Sequence, residues 1–266
     1  SVAGGDRNTA SGVASVISGG WSSKTSGQFA TVGGGKNNII SSNYSTVGGG
    51  QNNVAQGNTH ATVGGGINNT ASGLYATISG GNNNSATGGQ DFVGGGSGST
   101  ASGGNAVVGG GALHIASGNY AIIPGGYNNT AAGLCSFAAG RKARANHAGA
   151  FVWADPSAED FASTAVNQFL IRASGGVGIN TTSPGAVFSV AGSVDARGSF
   201  RALDGDGSHY VALKAPTTVG ANVALTLPSA DGSNGQVLKT DGSGHLSFVT
   251  VGSGNTLDAA YDQGGG

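Results

Sequence analysis

The stretch Ala61-Thr62-Val63-Gly64-Gly65-Gly66-Ile67-Asn68-Asn69-Thr70-Ala71-Ser72-Gly73 is one copy of a repeat that fills the first half of this 266-residue chain. Its apolar residue, Val63, belongs to a column of nine full copies, followed by a degenerate tenth copy at Ala138. The spacing is 15 residues every time but one, where it is 16. The nine copies are Val2, Ile17, Val32, Val47, Val63, Ile78, Val93, Val108 and Ile123. Self-similarity at a fixed period is the sequence signature of a repeat architecture.

Other columns keep the same register. The second and third positions after the apolar residue are glycine in all nine full copies, and the tenth position is glycine in eight of nine, with Ser42 the exception. The eighth position is alanine in seven of nine, with Thr25 and Ile40 the exceptions. The sixth position is asparagine at Asn8, Asn38, Asn53, Asn69, Asn84 and Asn129. We predict that these asparagines stack and form amide ladders along a turn.

The repeat predicts one rung of a β-solenoid. In Ala76-Thr77-Ile78, alternate residues point the same way along a strand, so one face is small and apolar and the other carries Thr. The glycine pair turns the chain where a side chain would clash or where φ must be positive. A second short strand at the alanine column and a second glycine turn complete the rung. The predicted fold is therefore all-β, a solenoid head of about ten rungs, roughly 45–50 Å long at about 4.8 Å per rung.

A single copy of such a solenoid should be marginally stable. Its Ala- and Gly-rich rungs bury little apolar surface against roughly 1–2 kcal/mol of backbone entropy per residue. The position just before the apolar column turns from small to large along the chain, and large residues on the face opposite the core need a partner. We therefore predict a homo-oligomer. This position holds Thr31, Thr46, Thr62, Thr77, Phe92, Val107, Ile122 and Phe137.

The segments Ala61-Thr62-Val63-Gly64-Gly65-Gly66 and Asn68-Asn69-Thr70-Ala71-Ser72-Gly73 resemble the head repeats of YadA-type trimeric autotransporter adhesins. The resemblance covers residues 1–140. It implies a left-handed parallel β-roll assembled as a homotrimer. This chain differs in its 15-residue period and its glycine pair, and no particular ligand is carried over.

Residues 141–164 are predicted to form a neck or cap, in which charged residues end the stack and Trp153 covers its last rung. An alternative interpretation is that the basic cluster Arg141, Lys142 and Arg144 forms a phosphate or polyanion site. Residues 165–266 are predicted to be β-rich stalk modules, with strands at 167–172, 186–194, 208–214, 222–227, 235–240 and 245–251 and a turn-rich connector at 175–184. The connector and residues 235–244 resemble modules of phage-type tail fibres and related large bacterial surface proteins, and this resemblance likewise implies intertwined trimers of short strands.

The composition of the chain narrows the range of functions that we expect. Charged residues make up 9%, with 11 Lys and Arg against 12 Asp and Glu, so a nucleic-acid partner is not expected. A single cysteine, Cys135, allows no internal disulfide and aligns with Tyr44, Tyr75 and Tyr120, which indicates packing. No apolar run reaches transmembrane length. The lack of methionine, even at position 1, and the Gly264-Gly265-Gly266 end predict a processed chain or a fragment.

No catalytic, cofactor-binding or metal-binding residue is predicted, and the chain is not expected to be an enzyme. Asp155, Glu159 and Asp160 fit a solvated loop better than an acid/base pair. The aspartates at 204–207 and 241–244 fit tight turns better than calcium loops. The histidines are scattered singly, although His147 on a threefold axis would supply three metal ligands. The histidines are His60, His114, His147, His209 and His245.

The expected function is a structural segment of a trimeric extracellular or cell-surface fibre, with or without adhesion to a host-surface, matrix or glycan ligand. The first alternative is a phage or phage-like tail fibre, located on a virion. Two alternatives from other classes are an ice-binding solenoid, suggested by the column Thr31, Thr46, Thr62 and Thr77, and a polysaccharide-cleaving fibre.

Overall fold

The computed structural model describes residues 1–57, 59–191, 199–220 and 222–250, and these ranges contain strands and turns but no helix. The chain divides into two compact units, Ser1–Ala191 and Gly192–Gly266. The first unit contains a parallel β-solenoid, as the repeat predicts, and it has about 12 turns where about ten rungs were expected.

Two parallel sheets form the walls of the solenoid. One has 11 strands and carries the alanine column, and we call it the Ala sheet. Its strands are Thr9–Ala10, Lys24–Thr25, Ile39–Ile40, Val54–Ala55, Thr70–Ala71, Ser85–Ala86, Thr100–Ala101, Ile115–Ala116, Thr130–Ala131, Ala143–Ala145 and Phe161–Ala162. The other has 12 strands and carries the Val and Ile column, and we call it the Val sheet. Its strands are Val16–Ile17, Thr31–Val32, Thr46–Val47, Thr62–Val63, Thr77–Ile78, Phe92–Val93, Val107–Val108, Ile122–Ile123, Phe137–Arg141, Phe151–Ala154 and Phe169–Arg172, with Gly126–Tyr127 paired to Phe137–Arg141 beside the main order.

Equivalent residues of successive repeats pair directly. Thr31 lies opposite Thr46 and Val32 opposite Val47, so the sequence columns become ladders of the sheet. A third ladder of single bridges follows the glycine turn, from Asp6 and Trp21 to Ala112 and Tyr127. Each rung therefore pairs with its neighbours on three sides.

The core between the two sheets is thin, as predicted. Val47, Val63 and Ile78 from the Val sheet are fully buried, and so are Ala71 and Ala86 from the Ala sheet. Between them lies a third buried column of small residues two positions before the Val column, with Ala61 and Ala76 as examples. Such a core has no room for larger side chains, because interiors are packed to crystal density.

The two glycines of each pair differ in what they require. At Gly66 φ is +89°, and a Cβ would collide with the carbonyl oxygen of Gly81 in the next rung. At Gly65 a Cβ would meet nothing within 4 Å. Both reasons that we gave for the pair, clash and positive φ, therefore hold at its second member, and among the first members of the nine pairs only Gly95 has a positive φ, of +149°.

The sheets continue past Gly140, where the repeat pattern ends. Phe137 pairs with Phe151, and Phe151 with Phe169, so the rungs change in length while the ladder is kept. The column pattern is lost here because it depends on a constant spacing, which hydrogen bonding between strands does not require. The prediction that Trp153 covers the last rung is wrong. Trp153 lies in a strand flanked on both sides, pairing with Ala139 and Ile171, and its side chain points outward.

Beyond the solenoid the first unit ends in a parallel pair, Val177–Ile179 with Phe188–Val190. The first of these strands lies in the segment predicted as a connector. The second falls within the predicted strand 186–194, of which residues 192–194 lie outside the described ranges.

The second unit contains two antiparallel hairpins, Ser199–Leu203 with Tyr210–Lys214 and Gln236–Thr240 with Leu246–Thr250. Three of its four predicted strands are confirmed in position, apart from residue 251, which is not among the described residues. The prediction of a strand at 222–227 is wrong. Over these residues Thr226 makes one isolated bridge, to His245. The Gly264-Gly265-Gly266 end also lies outside the described residues.

Candidate functional site

The outward face of the Val sheet carries the column that we predicted to need a partner. Its side chains point away from the core, and we call them the outer column. Phe92 is 37% exposed and Ile122 is 43% exposed. Phe137, Phe151 and Phe169 stack with ring centroids 4.5 Å apart at both steps. The outer column consists of Val16, Thr31, Thr46, Thr62, Thr77, Phe92, Val107, Ile122, Phe137, Phe151 and Phe169, and none of these residues is charged.

A ridge of stacked rings lies at one corner of the solenoid. Phe29, Tyr44, His60 and Tyr75 follow one another with ring centroids 5.1, 5.1 and 4.8 Å apart. All four residues have positive φ, between 53° and 63°, which L-residues rarely adopt. Because the faces of the inner rings are covered by their neighbours, the ridge presents mainly ring edges and polar atoms. Cys135 lies in the same column and is exposed, so the prediction that it is packed is wrong.

A cation–aromatic cluster lies on the third ladder. Arg7 Cζ is 5.6 Å and Lys36 Nζ is 4.9 Å from the centroid of the Trp21 ring. Asp6 pairs with Trp21, and Trp21 with Lys36, in consecutive bridges. The Asp6 carboxylate is 3.7 Å from Arg7 Nε, with both side chains about 70% exposed. Sequence reasoning missed this cluster, although the columns of the repeat place Trp21 and Lys36 one rung apart.

The asparagine column is buried and bonds mainly to backbone. Asn53 Oδ1 accepts a hydrogen bond from the backbone N–H of Asn69 at 3.0 Å, and its Nδ2 donates to the carbonyls of Gly49 and Gly66 at 2.9 and 2.8 Å. The predicted amide contacts occur in this column between Asn69 Nδ2 and Asn53 Oδ1, at 3.2 Å. They also occur in the neighbouring column, where Asn37 donates to Asn52 at 3.2 Å and Asn52 donates to Asn68 at 3.0 Å. The buried column therefore ties consecutive glycine turns together.

Two ionisable residues occupy buried columns. His114 takes an asparagine position, with Nδ1 accepting from the Asn129 N–H at 3.1 Å and Nε2 facing the Gly126 carbonyl at 3.1 Å. Burial lowers the pKa of His114 below its ordinary value. Asp91 takes a position usually held by alanine and accepts from the N–H groups of Gly88, Gly104 and Ala106 at 2.7, 3.0 and 2.9 Å. Each of these two side chains hydrogen-bonds to backbone groups that other rungs satisfy with different residues.

The three cations of the basic cluster at 141–144 donate hydrogen bonds to the loop that follows the cluster. Arg141 donates to the Pro156 carbonyl at 2.9 Å, Lys142 to the Ala158 carbonyl at 2.5 Å and Arg144 to Asp160 at 3.1 Å. These contacts show a structural use for each cation.

Asp155 is buried, so its placement in a solvated loop is wrong. Hydrogen bonds from Ser157 and Ser174 hold the pKa of Asp155 well below its usual range, and Arg172 Nε lies 3.0 Å from its carboxylate. Glu159 and Asp160 are exposed, as predicted. The hydrogen bond from Arg144 lowers the pKa of Asp160. An aspartate held ionised by its neighbours is an anchor for the turn around Ser174.

The remaining histidines and aspartates form hydrogen bonds that stabilise turns. His147 bonds to Ser163 Oγ at 2.9 Å. In the second unit, Asp204 and Asp241 each accept from the N–H of a nearby histidine, His209 or His245, and thereby close a hairpin turn. Within the described ranges, no three His, Cys, Asp or Glu residues lie close enough to hold a metal ion.

Neither a protein-family model nor a curated protein matches this chain. Within residues 1–57, 59–191, 199–220 and 222–250, no helix is long and apolar enough to cross a membrane.

Proposed function

We propose that this chain is a structural segment of a homotrimeric extracellular fibre, and that the outer column of the Val sheet is the interface between its copies. The observation that carries the proposal is the position of Phe92, Ile122 and Phe169, which lie partly exposed on one continuous uncharged face. Burying such a face against another copy removes apolar surface from water without desolvating a charge. A second copy of the same chain fits because it brings an equivalent uncharged face.

The second unit supports assembly independently. Val211 and Leu213 are each 78% exposed, and Leu227 is 71% exposed. An isolated two-stranded hairpin is at best marginally stable in water. Hairpins with this much uncovered apolar surface gain stability when the strands of other copies cover them.

A matched pair of variants tests the interface. Ile122 in the outer column and Ile67 on the third ladder are equally exposed, at 43% and 44%. Threonine already occupies four rungs of the outer column, so Ile122→Thr keeps the fold. Each copy loses part of the roughly 1.5–3 kcal/mol that full burial of an isoleucine contributes. We expect Ile122→Thr to weaken assembly at least about tenfold, since about 1.4 kcal/mol corresponds to a factor of ten.

The measurement is sedimentation equilibrium of both variants over a concentration series. We expect Ile67→Thr to assemble like the unsubstituted chain. Equal weakening by both variants, or no effect of Ile122→Thr, would place the interface elsewhere.

A further inference from the structure

We infer that Arg7, Trp21 and Lys36 form a binding site for an acidic polysaccharide on the surface of the solenoid. The inference rests on the proposed function, because it assigns a ligand class to the exposed face of a fibre. Its starting point is the distribution of charge. Over residues 1–140 the only charged side chains are Asp6, Arg7, Lys24, Lys36 and Asp91.

All of the exposed side-chain charge in that range lies within the first three repeats. Asp91 is buried and bonded to three backbone N–H groups, whereas Asp6, Arg7, Lys24 and Lys36 are exposed. Three cations against one carboxylate leave this end positive on an otherwise uncharged surface. A local excess of one sign raises the local concentration of oppositely charged ligands.

The geometry suits a linear polymer. Arg7 and Lys36 flank the Trp21 ring at 5.6 and 4.9 Å. They come from repeats two rungs apart, which corresponds to about 10 Å along the stack at about 4.8 Å per rung. A chain with charges recurring along its length can contact both cations as it follows the stack. Trp21 is 38% exposed and holds both cations beside one ring, so the two charges are presented together.

The stability of the solenoid does not explain why arginine stands at position 7 and lysine at position 36. Arg7 has a φ of 58° in a column that most often holds asparagine, as at Asn37 and Asn52, and asparagine tolerates positive φ better than arginine. The left-handed conformation is unfavourable for an L-residue, and an exposed cation–π contact offsets only part of that cost. The equivalent of Lys36 in the next rung is the uncharged Gln51.

Asp6 works against anion binding. Its carboxylate lies 3.7 Å from Arg7 Nε, and both side chains are about 70% exposed, so the pair is weak and solvated. Removing this carboxylate should strengthen binding, which gives the inference a variant that gains affinity.

The test measures binding of a heparin octasaccharide to the full chain by titration calorimetry, with a neutral dextran oligosaccharide of similar length as the comparison. The variant Arg7→Asn with Lys36→Gln replaces each cation with a residue that the repeat already uses in that column. The control, Lys214→Gln with Lys239→Gln, removes the same charge from the second unit. Circular dichroism confirms that all variants fold.

We expect the octasaccharide to bind the unsubstituted chain and the dextran not to bind. Affinity should fall about tenfold or more in the Arg7 and Lys36 variant, because two charge contacts with the polymer are lost. It should stay unchanged in the control and rise in Asp6→Asn. Binding should also weaken between about 50 and 200 mM salt.

Equal loss in the control variant, or no binding of the octasaccharide to the unsubstituted chain, would overturn the inference. The mass of the protein, measured in the same samples, separates this result from the proposed function. A monomer that still binds would refute the trimeric fibre alone, and a trimer that does not bind would refute this site alone.

Discussion

Adjacent glycines in the fifth repeat should respond in opposite ways to the same substitution. Gly65 and Gly66 differ by one position in sequence and share one turn. Gly66 has a φ of +89° and faces the carbonyl oxygen of Gly81, while Gly65 has open space around its Cα. We therefore predict that Gly66→Ala destabilises the solenoid and that Gly65→Ala does not.

The magnitudes follow from this geometry. Left-handed backbone costs an alanine roughly 1–2 kcal/mol, and separating two rungs to admit a methyl group costs about 1–3 kcal/mol. Gly66→Ala should therefore lower the free energy of unfolding by about 2–5 kcal/mol. At Gly65 alanine meets no neighbour, and its smaller unfolded-state entropy should raise the free energy of unfolding by about 0.4–1 kcal/mol.

Urea unfolding followed by circular dichroism measures the difference. Both variants and the unsubstituted chain are compared at one protein concentration, because assembly makes stability depend on concentration. The urea concentration at the midpoint should be highest for Gly65→Ala, intermediate for the unsubstituted chain and lowest for Gly66→Ala. Similar midpoints for the two variants would refute the account of the glycine turn, since rung-to-rung contact would then not distinguish its two members.

Two further predictions concern the buried ionisable residues. The unfolded state binds a proton at His114 more readily than the folded state, so stability should fall as pH drops from 7 to 5, through and below the ordinary histidine pKa of about 6.5. Thermal melts should show this loss in the unsubstituted chain and less of it in His114→Asn, which restores the residue of that column. An equal loss in both would contradict the prediction. Asp91→Ala leaves three N–H groups without their acceptor and should cost at least about 2 kcal/mol in urea unfolding, given about 1–3 kcal/mol for each buried group left unpaired. Asp91→Asn keeps one oxygen and should cost less, and the reverse order would be inconsistent with these contacts.

The repeat determined much of the fold in advance. Val63 and Ala71 recur at one spacing, and that spacing places them in two stacked, buried columns, as the structure confirms. Thr77 and Phe92 were expected on the outer face, and they lie there in direct register. These predictions succeed because a period-two strand pattern fixes the side on which each residue lies.

Predictions failed where the period is interrupted or where one side chain has a local role. The strand predicted at 167–172 is present as Phe169–Arg172. It and Phe151–Ala154 join the Val sheet at changed spacing, so the columns of the repeat do not predict that they belong to the solenoid. Trp153 and Asp155 were assigned from residue type alone, and that does not reveal which wall of a rung a residue occupies. Arg7 contacts Trp21 from a φ of 58°, a conformation that the sequence does not indicate because arginine rarely adopts positive φ.

The solution mass of the unsubstituted chain at micromolar concentration, measured by light scattering, tests the central claim most directly. The account predicts a mass near three times 25.4 kDa. A folded β protein with a mass of 25.4 kDa would contradict it, because the outer column would then be stable in water without a second copy.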